Sequence, residues 1–153
     1  AELTEAEISG GIKLGGVADK NRLSHYETGS YTPSLIDMSG NSVSLDPKMV
    51  TYIRIGCQLT VMFNFLNNLN TTGLVATDDI AITLPFTNGS HSFCAVELQG
   101  PVGKSGPYFW HALNGQTYAK IRALGANNEL SVSDFTSGVT DIIGGTLTLC
   151  VDA

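Results

Sequence analysis

The feature that most constrains this chain is an apolar alternation with a period of two residues, which begins near residue 29. In the longest run, residues 57–66, every second position is apolar: Leu59, Val61, Phe63 and Phe65. Successive side chains of a β-strand point to opposite faces, so this pattern predicts a strand with one buried face. About nine or ten such runs, with turn signals every 8–12 residues, are typical of an all-β domain. The sequence therefore predicts an antiparallel β-sandwich or jelly roll.

The segment before this alternation has a different character. Residues 10–16 contain four glycines around isolated apolar side chains. We interpret residues 1–28 as a linker or stalk end and residues 29–153 as the β domain. Ile12, Leu14 and Val17 cannot bury themselves within one chain, so we expect them to pack around the axis of a homotrimer.

Charge excludes some classes of partner. Charged residues make up 14% of the chain, and the net charge is −6 with a pI of about 4.8. Phosphate binding needs clustered Lys and Arg, and the eight basic residues here are scattered, which argues against nucleic acid. No apolar run approaches the ~20 residues of a membrane helix, so we expect no membrane insertion.

The three cysteines are odd in number and widely spaced, at Cys57, Cys94 and Cys150. No Cys-x-x-Cys is present, which argues against zinc and redox motifs. All three lie in apolar runs, so we expect reduced thiols that are buried as small hydrophobic side chains. One disulfide between two of them is the alternative.

Few residues point to catalysis. The histidines are His25, His91 and His111, and no Gly-x-Ser-x-Gly elbow accompanies them. The adjacent carboxylates Asp78 and Asp79 would point to opposite faces of a strand, and a solvated turn is the simplest interpretation. Calcium coordination at this pair is the alternative. We therefore expect a protein that is not an enzyme and has no cofactor and no metal.

The best candidate for binding is the aromatic run Tyr108-Phe109-Trp110-His111. In a strand, Phe109 and His111 share one face and Tyr108 and Trp110 the other. An exposed aromatic face would suit a sugar ring, because it combines apolar area with a polar edge. Lys104 lies in the adjacent glycine- and proline-rich loop. Burial of both faces, in the core or in a trimer contact, is the alternative.

The join between linker and β domain resembles a recurring segment of bacteriophage tail-fibre and other virion proteins. That segment reads Asn-x-Leu-x-x-Tyr-Glu-x-Gly-x-Tyr/Trp-Thr-Pro. The matching residues here are Asn21, Leu23, Tyr26, Glu27, Gly29, Tyr31, Thr32 and Pro33. The usual acidic residues after the leucine are replaced by Ser24 and His25.

Two later segments extend the resemblance. The run 51–56, Thr-Tyr-Ile-Arg-Ile-Gly, is similar to a Tyr-x-x-Ile-Gly step before a long central strand, with Cys57 where Asn or Arg is common. Leu84-Pro85-Phe86 is similar to a Leu-Pro-Phe that ends a later strand. The three motifs span a little under half of the chain, and no motif is recognised after Phe86.

The resemblance implies a fibre tip of a virion, trimeric, assembled in the host cytoplasm and joined to the rest of the viral fibre. Its partner would be a glycan or protein receptor on the host-cell surface. The receptor-binding residues would then be Tyr108, Trp110, His111 and Lys104. Two other roles stay open: a domain that only trimerises and registers the fibre, and an accessory domain of a polysaccharide-degrading tailspike.

Overall fold

The computed structural model describes residues 12–13, 22–23, 26–45, 48–66, 68–104, 106–125 and 129–151. Regular structure in these ranges is almost entirely β, which confirms the predicted all-β class. The strands are β1 (Ile12–Lys13), β2 (Arg22–Leu23), β3 (Tyr26–Tyr31), β4 (Ser34–Ile36), β5 (Ser42–Ser44), β6 (Val50–Ile55), β7 (Gln58–Leu66), β8 (Ala81–Thr83), β9 (Ser92–Gln99), β10 (Tyr108–Ala112), β11 (Tyr118–Ala123) and β12 (Asp141–Cys150). A short 3₁₀ helix, Val132–Asp134, precedes β12. Within the described ranges, no helix has the length and apolar content needed to cross a membrane.

Ten of these strands form one antiparallel sheet. Its hydrogen-bonded order is β3–β6–β7–β12–β9–β10–β11–β8–β4–β5. β1 and β2 form a separate two-stranded pair, with Ile12 opposite Leu23. The finer assignment, to a sandwich or a jelly roll, stays a prediction.

The sheet curls until strands from its two ends meet. Only Thr32 and Pro33 separate β3 from β4 in the chain, yet these strands lie near opposite ends of the order. The Tyr31 hydroxyl donates to the carbonyl of Thr83 in β8 at 3.0 Å. The backbone amide of Ser34 donates to the hydroxyl of the same threonine at 2.9 Å. The curl therefore encloses one face of the sheet.

Thr32 and Pro33 divide the start of the alternating segment into two strands, β3 and β4. Pro33 has no amide hydrogen to give to a ladder, so the chain leaves β6 after β3 and then pairs with new neighbours as β4. Strand β3 begins at Tyr26, inside the segment 1–28 that was interpreted as a linker.

The enclosed face carries the hydrophobic core. Phe63 of β7 and Trp110 of β10 face each other across it, with ring centroids 4.7 Å apart. Both side chains are fully buried. The other large side chains that are fully buried are Leu35, Leu59, Leu66, Leu69, Ile80, Ile82, Ile121, Leu130, Ile142 and Leu147. They come from both halves of the sheet, so the core depends on the curl.

The cysteines are thiols, with no disulfide among the three. Cys94 and Cys150 are half-buried, but Cys57 is exposed, so the expected burial is wrong for it. The reason is that Cys57 lies in the two-residue turn between β6 and β7 rather than in a strand. Its neighbour Gly56 has a φ of 61°, the left-handed conformation that such a turn favours in glycine.

The three motifs that carry the resemblance contact one another. The Tyr52 hydroxyl donates to Glu27 Oε1 at 2.6 Å, and Tyr52 lies opposite Gly29 across β6 and β3. A Cβ on Gly29 would sit 2.6 Å from the Tyr52 ring. The Phe86 ring meets Tyr52 edge-on at 5.3 Å and lies under the Arg54 guanidinium at 5.2 Å. Each motif thus supplies one part of a single cluster.

Candidate binding site

Strand β10 lies between β9 and β11, and the structure decides which of its faces is covered. Trp110 is fully buried and Tyr108 packs against the core, so these two point inward. Phe109 and His111 point outward, as the two-residue period requires. The prediction that Trp110 binds a receptor is therefore wrong for this fold, because its indole is enclosed by the curled sheet.

An open groove of about 290 Å³ lies on the outward face beside Phe109. We call it the outer groove, and its lining is Phe93, Phe109, Arg122, Ala123, Leu124 and Gly125. Phe109 is opposite Arg122 of β11, so the phenyl ring and the guanidinium start from neighbouring backbone positions. Phe93 is 58% exposed and Leu124 is 66% exposed. Exposed apolar side chains that line one groove make a contiguous patch, which is a feature typical of contact surfaces.

His111 borders the outer groove within a stack of rings. Its imidazole lies 4.2 Å from the Phe93 ring, centroid to centroid, and the two planes differ by 9°. The His91 imidazole stacks on the other histidine at 6.3 Å. Because of this cover, His111 is only 7% exposed although it points away from the core.

His111 also contacts the guanidinium of Arg122. Arg122 Nη1 lies 3.4 Å from His111 Nδ1, and arginine can only donate, so the contact needs a neutral imidazole whose Nδ1 accepts. Burial lowers the pKa of His111, and the positive charges of Arg122, His91 and Lys120 lower it further. At neutral pH the groove therefore carries the charge of Arg122 beside an uncharged ring.

Lys104 lies near Tyr108, as predicted, but it does not line the outer groove. Its carbonyl accepts a hydrogen bond from the Tyr108 hydroxyl at 2.7 Å. Its ammonium donates to the carbonyl of Glu129 and lies 3.3 Å from Asp134 Oδ2. These contacts give the side chain a structural role, because they connect its loop to the segment that precedes β12.

Asp79, one of the two adjacent carboxylates, is paired with a lysine. Asp79 Oδ2 lies 2.9 Å from Lys120 Nζ, which also lies 3.6 Å from Glu129 Oε1. Burial raises the pKa of Asp79, but the hydrogen bonds to Lys120 and Glu129 and the positive charges of Lys120 and Lys104 together outweigh it, so the pKa lies below its usual value. Among the described residues, no group of three His, Cys, Asp or Glu side chains could hold a metal ion.

The residues predicted to contact a trimer axis are only partly described. Ile12 belongs to strand β1, whereas Leu14 and Val17 lie outside the described residues, as does His25. Their role at a three-fold axis stays a prediction.

Three residues of the outer groove were not predicted from the sequence: Phe93, Arg122 and Leu124. One signal for Arg122 was present, because Asn114-Gly115 marks a turn that pairs β10 with β11. The observed register of that pair puts Arg122 across from Phe109. Phe93 had no such signal, since β9 and β10 are joined by a longer loop.

The chain was also compared with known proteins. No protein-family model, no curated protein and no solved structure matches it.

Proposed function

We propose that this chain is a fibre tip of a virion that binds a structure on the host-cell surface through the outer groove. One observation carries the proposal: exposed Phe93, half-buried Phe109 and the Arg122 guanidinium lie together on the outward face of a sheet whose inward face already holds the core. The resemblance of the join segment to tail-fibre proteins supplies the biological setting.

A glycan is the receptor chemistry that fits best. The two phenyl rings offer flat apolar area on which the C–H face of a sugar can lie. Arginine carries five N–H donors in a fixed fork, which suits the ring of hydroxyl oxygens around a sugar. A groove of about 290 Å³ is close to the small end of ligand sites, so it holds one or two sugar units rather than a long chain. Attachment would then gain strength from several copies.

Several copies are expected because the proposal includes a homotrimer attached to the rest of the viral fibre. Three grooves on one fibre tip raise the avidity of a weak site without any new contact. The chain would be assembled in the host cytoplasm and would reside in the virion.

A second role is favoured by the same exposed side chains. If Phe93 and Leu124 are covered by a neighbouring subunit, the groove is an interface and the domain only trimerises and registers the fibre. A third role, as an accessory domain of a polysaccharide-degrading tailspike, would need cleavage elsewhere, because glycoside hydrolysis uses a pair of carboxylates and the groove lining has none.

The test uses two alanine variants matched in exposure. Phe93→Ala removes a groove ring that is 58% exposed, and Tyr26→Ala removes a ring on β3 that is 65% exposed. Binding of the purified chain to host cells is measured for both, beside oligomeric state by light scattering. We expect the Phe93 variant to stay folded and trimeric and to lose roughly 2 kcal/mol or more of affinity, as interface hot spots do.

The Tyr26 variant should bind like the unchanged protein. If the Phe93 variant instead becomes monomeric, the groove is a subunit contact and the structural role is correct. Release of reducing sugar by the unchanged protein would favour the enzyme. Normal cell binding by both variants would move the receptor site away from the outer groove.

A further inference from the structure

The outer groove contains a positive charge that has no acidic partner among the described residues. Arg122 has no carboxylate oxygen of the described residues within 4 Å, and the contact made by its Nη1 is to His111. Glu129, its partner in a backbone bridge, directs its carboxylate to Lys120 instead. Residues 126–128, which follow Gly125 in the sequence, read Ala-Asn-Asn and contain no acid.

The other cations nearby are compensated. Lys120, which is opposite His111 on the same face, lies 2.9 Å from Asp79. Lys104 lies 3.3 Å from Asp134. The chain as a whole has a net charge of −6, so acidic side chains are plentiful, yet none of the described ones pairs with Arg122. One guanidinium without an acidic partner among the described residues therefore shares the groove with two phenyl rings.

We propose that the outer groove binds a carboxylate-bearing sugar, such as a uronic or sialic acid residue of a host-surface glycan. The carboxylate pairs with the Arg122 guanidinium, and the sugar ring lies on Phe109 and Phe93. This inference rests on the proposed function and names the class of glycan that the site takes.

The charges favour a carboxylate over a neutral sugar or a phosphate ester. A guanidinium forms two parallel hydrogen bonds to a carboxylate, and a charged pair of this kind is about twice as strong as a neutral one. One guanidinium matches a charge of −1. A phosphate monoester carries −1.5 to −2 at neutral pH and needs further donors. His111 does not supply a second positive charge, because it accepts from Arg122 as a neutral ring.

The experiment compares glycosides that differ only in the carboxylate. Methyl β-glucuronide is titrated beside methyl β-glucoside, methyl α-galacturonide beside methyl α-galactoside, and methyl α-sialoside beside its carboxamide. Binding is followed by ¹H–¹⁵N NMR of the full chain, with shift changes mapped onto β9, β10 and β11. We expect at least one acidic glycoside to bind about tenfold more tightly than its neutral partner, as one charge-assisted hydrogen bond provides. Raising NaCl from about 0.05 to 0.5 M should weaken only the acidic one, because salt screens the pair.

Two variants test whether Arg122 causes the preference for the acidic glycoside. Arg122→Gln should remove the preference for the acid and keep the weak binding of the neutral sugar. Arg122→Lys keeps the charge without the fork and should fall between the two. Their melting temperatures show whether they fold, and if Arg122→Gln does not fold, Arg122→Lys and the salt titration decide.

Three results would overturn the inference: equal binding within every pair, no binding by any glycoside, and shift changes outside the groove strands. None of these decides the proposed function, which is tested separately by the binding of Phe93→Ala to host cells. An acidic preference without any cell binding would leave the groove specificity standing and reject the fibre-tip role.

Discussion

Strand β10 contributes one ring to each of two aromatic pairs, which lie on opposite faces of the sheet and have opposite surroundings. On the inner face, Trp110 and Phe63 lie 4.7 Å apart and both are fully buried. On the outer face, His111 and Phe93 lie 4.2 Å apart, yet Phe93 is 58% exposed. Similar ring contacts therefore serve different ends, because burial and not ring contact determines how much a pair stabilises the fold. The inner pair belongs to the buried core, whereas the outer pair leaves apolar area exposed.

The largest predicted effect breaks the inner pair. Trp110→Ala removes the largest fully buried side chain, and we expect the free energy of unfolding to fall by about 3–5 kcal/mol. The control is Phe109→Ala, one position earlier and on the outer face. Its free energy of unfolding should fall much less. Urea unfolding monitored by circular dichroism measures both. Equal losses would mean that the two faces are not distinct.

The next effect concerns the space around the inner pair. A Cβ on Gly145 would lie 3.2 Å from Trp110 Nε1 and 3.2 Å from the Ala95 carbonyl oxygen, which is tighter than ordinary contact. Gly145→Ala should therefore destabilise the protein by ~1–3 kcal/mol through overpacking.

Its neighbour Gly144 is the matched control. A Cβ there has its nearest contact at 3.9 Å, with the Phe63 carbonyl oxygen, so Gly144→Ala should be close to neutral. Thermal unfolding of the two variants makes the comparison. If Gly145→Ala melts at the unchanged temperature, the packing around the indole is looser than described.

The outer pair should respond to pH. Burial, followed by the charges of Arg122, His91 and Lys120, lowers the pKa of His111 below its ordinary value of 6.5. At pH values between that lowered pKa and 6.5, His111 is protonated in the unfolded chain and neutral in the folded chain. Stability should therefore fall as the pH drops through this window, and it should be fully regained above it.

His111→Phe removes this contribution, so its melting temperature should change less across the window than that of the unchanged protein. Melting curves at several pH values for both proteins make the measurement. Identical pH dependence in the two would assign the effect to other groups.

The smallest effect concerns Lys104. Its side chain is 37% exposed, and ion pairs that water can reach contribute about 0–1 kcal/mol. Lys104→Gln should therefore lower the free energy of unfolding by less than about 1 kcal/mol, as urea unfolding would show. Host-cell binding should stay normal. A strong loss of binding in a stable variant would return Lys104 to the receptor site.

Local pattern predicted the faces of β10 but not their surroundings. The period of two places Tyr108 with Trp110 and Phe109 with His111, as the structure shows. Which face is inside depends on how the whole sheet curls, and that depends on contacts such as Tyr31 with Thr83, far apart in the sequence. Sequence periodicity contains no information on such closure.

The motif residues could be recognised from the sequence, but their physical role could not. The pattern is matched by Glu27, Gly29, Tyr52 and Phe86, and the structure supplies the physical reason. The Tyr52 ring needs a glycine at position 29 beneath it, and its hydroxyl needs the Glu27 carboxylate as acceptor. The Phe86 ring packs edge-on against Tyr52. These residues explain the fold. The residues of the outer groove lie after Phe86, where no motif was recognised.

The position of β12 has a consequence for how the molecule is made. This strand is the last of the sheet in sequence, yet it lies at the centre, between β7 and β9, where Leu149 is opposite Leu59. During synthesis the edges of β7 and β9 stay unpaired until β12 has been made. Pairing β12 with β7 closes a long loop, which is entropically slow. Until that strand leaves the ribosome, two apolar strand edges stay open to other nascent chains. Crowding of unfinished copies would therefore favour association through these open edges.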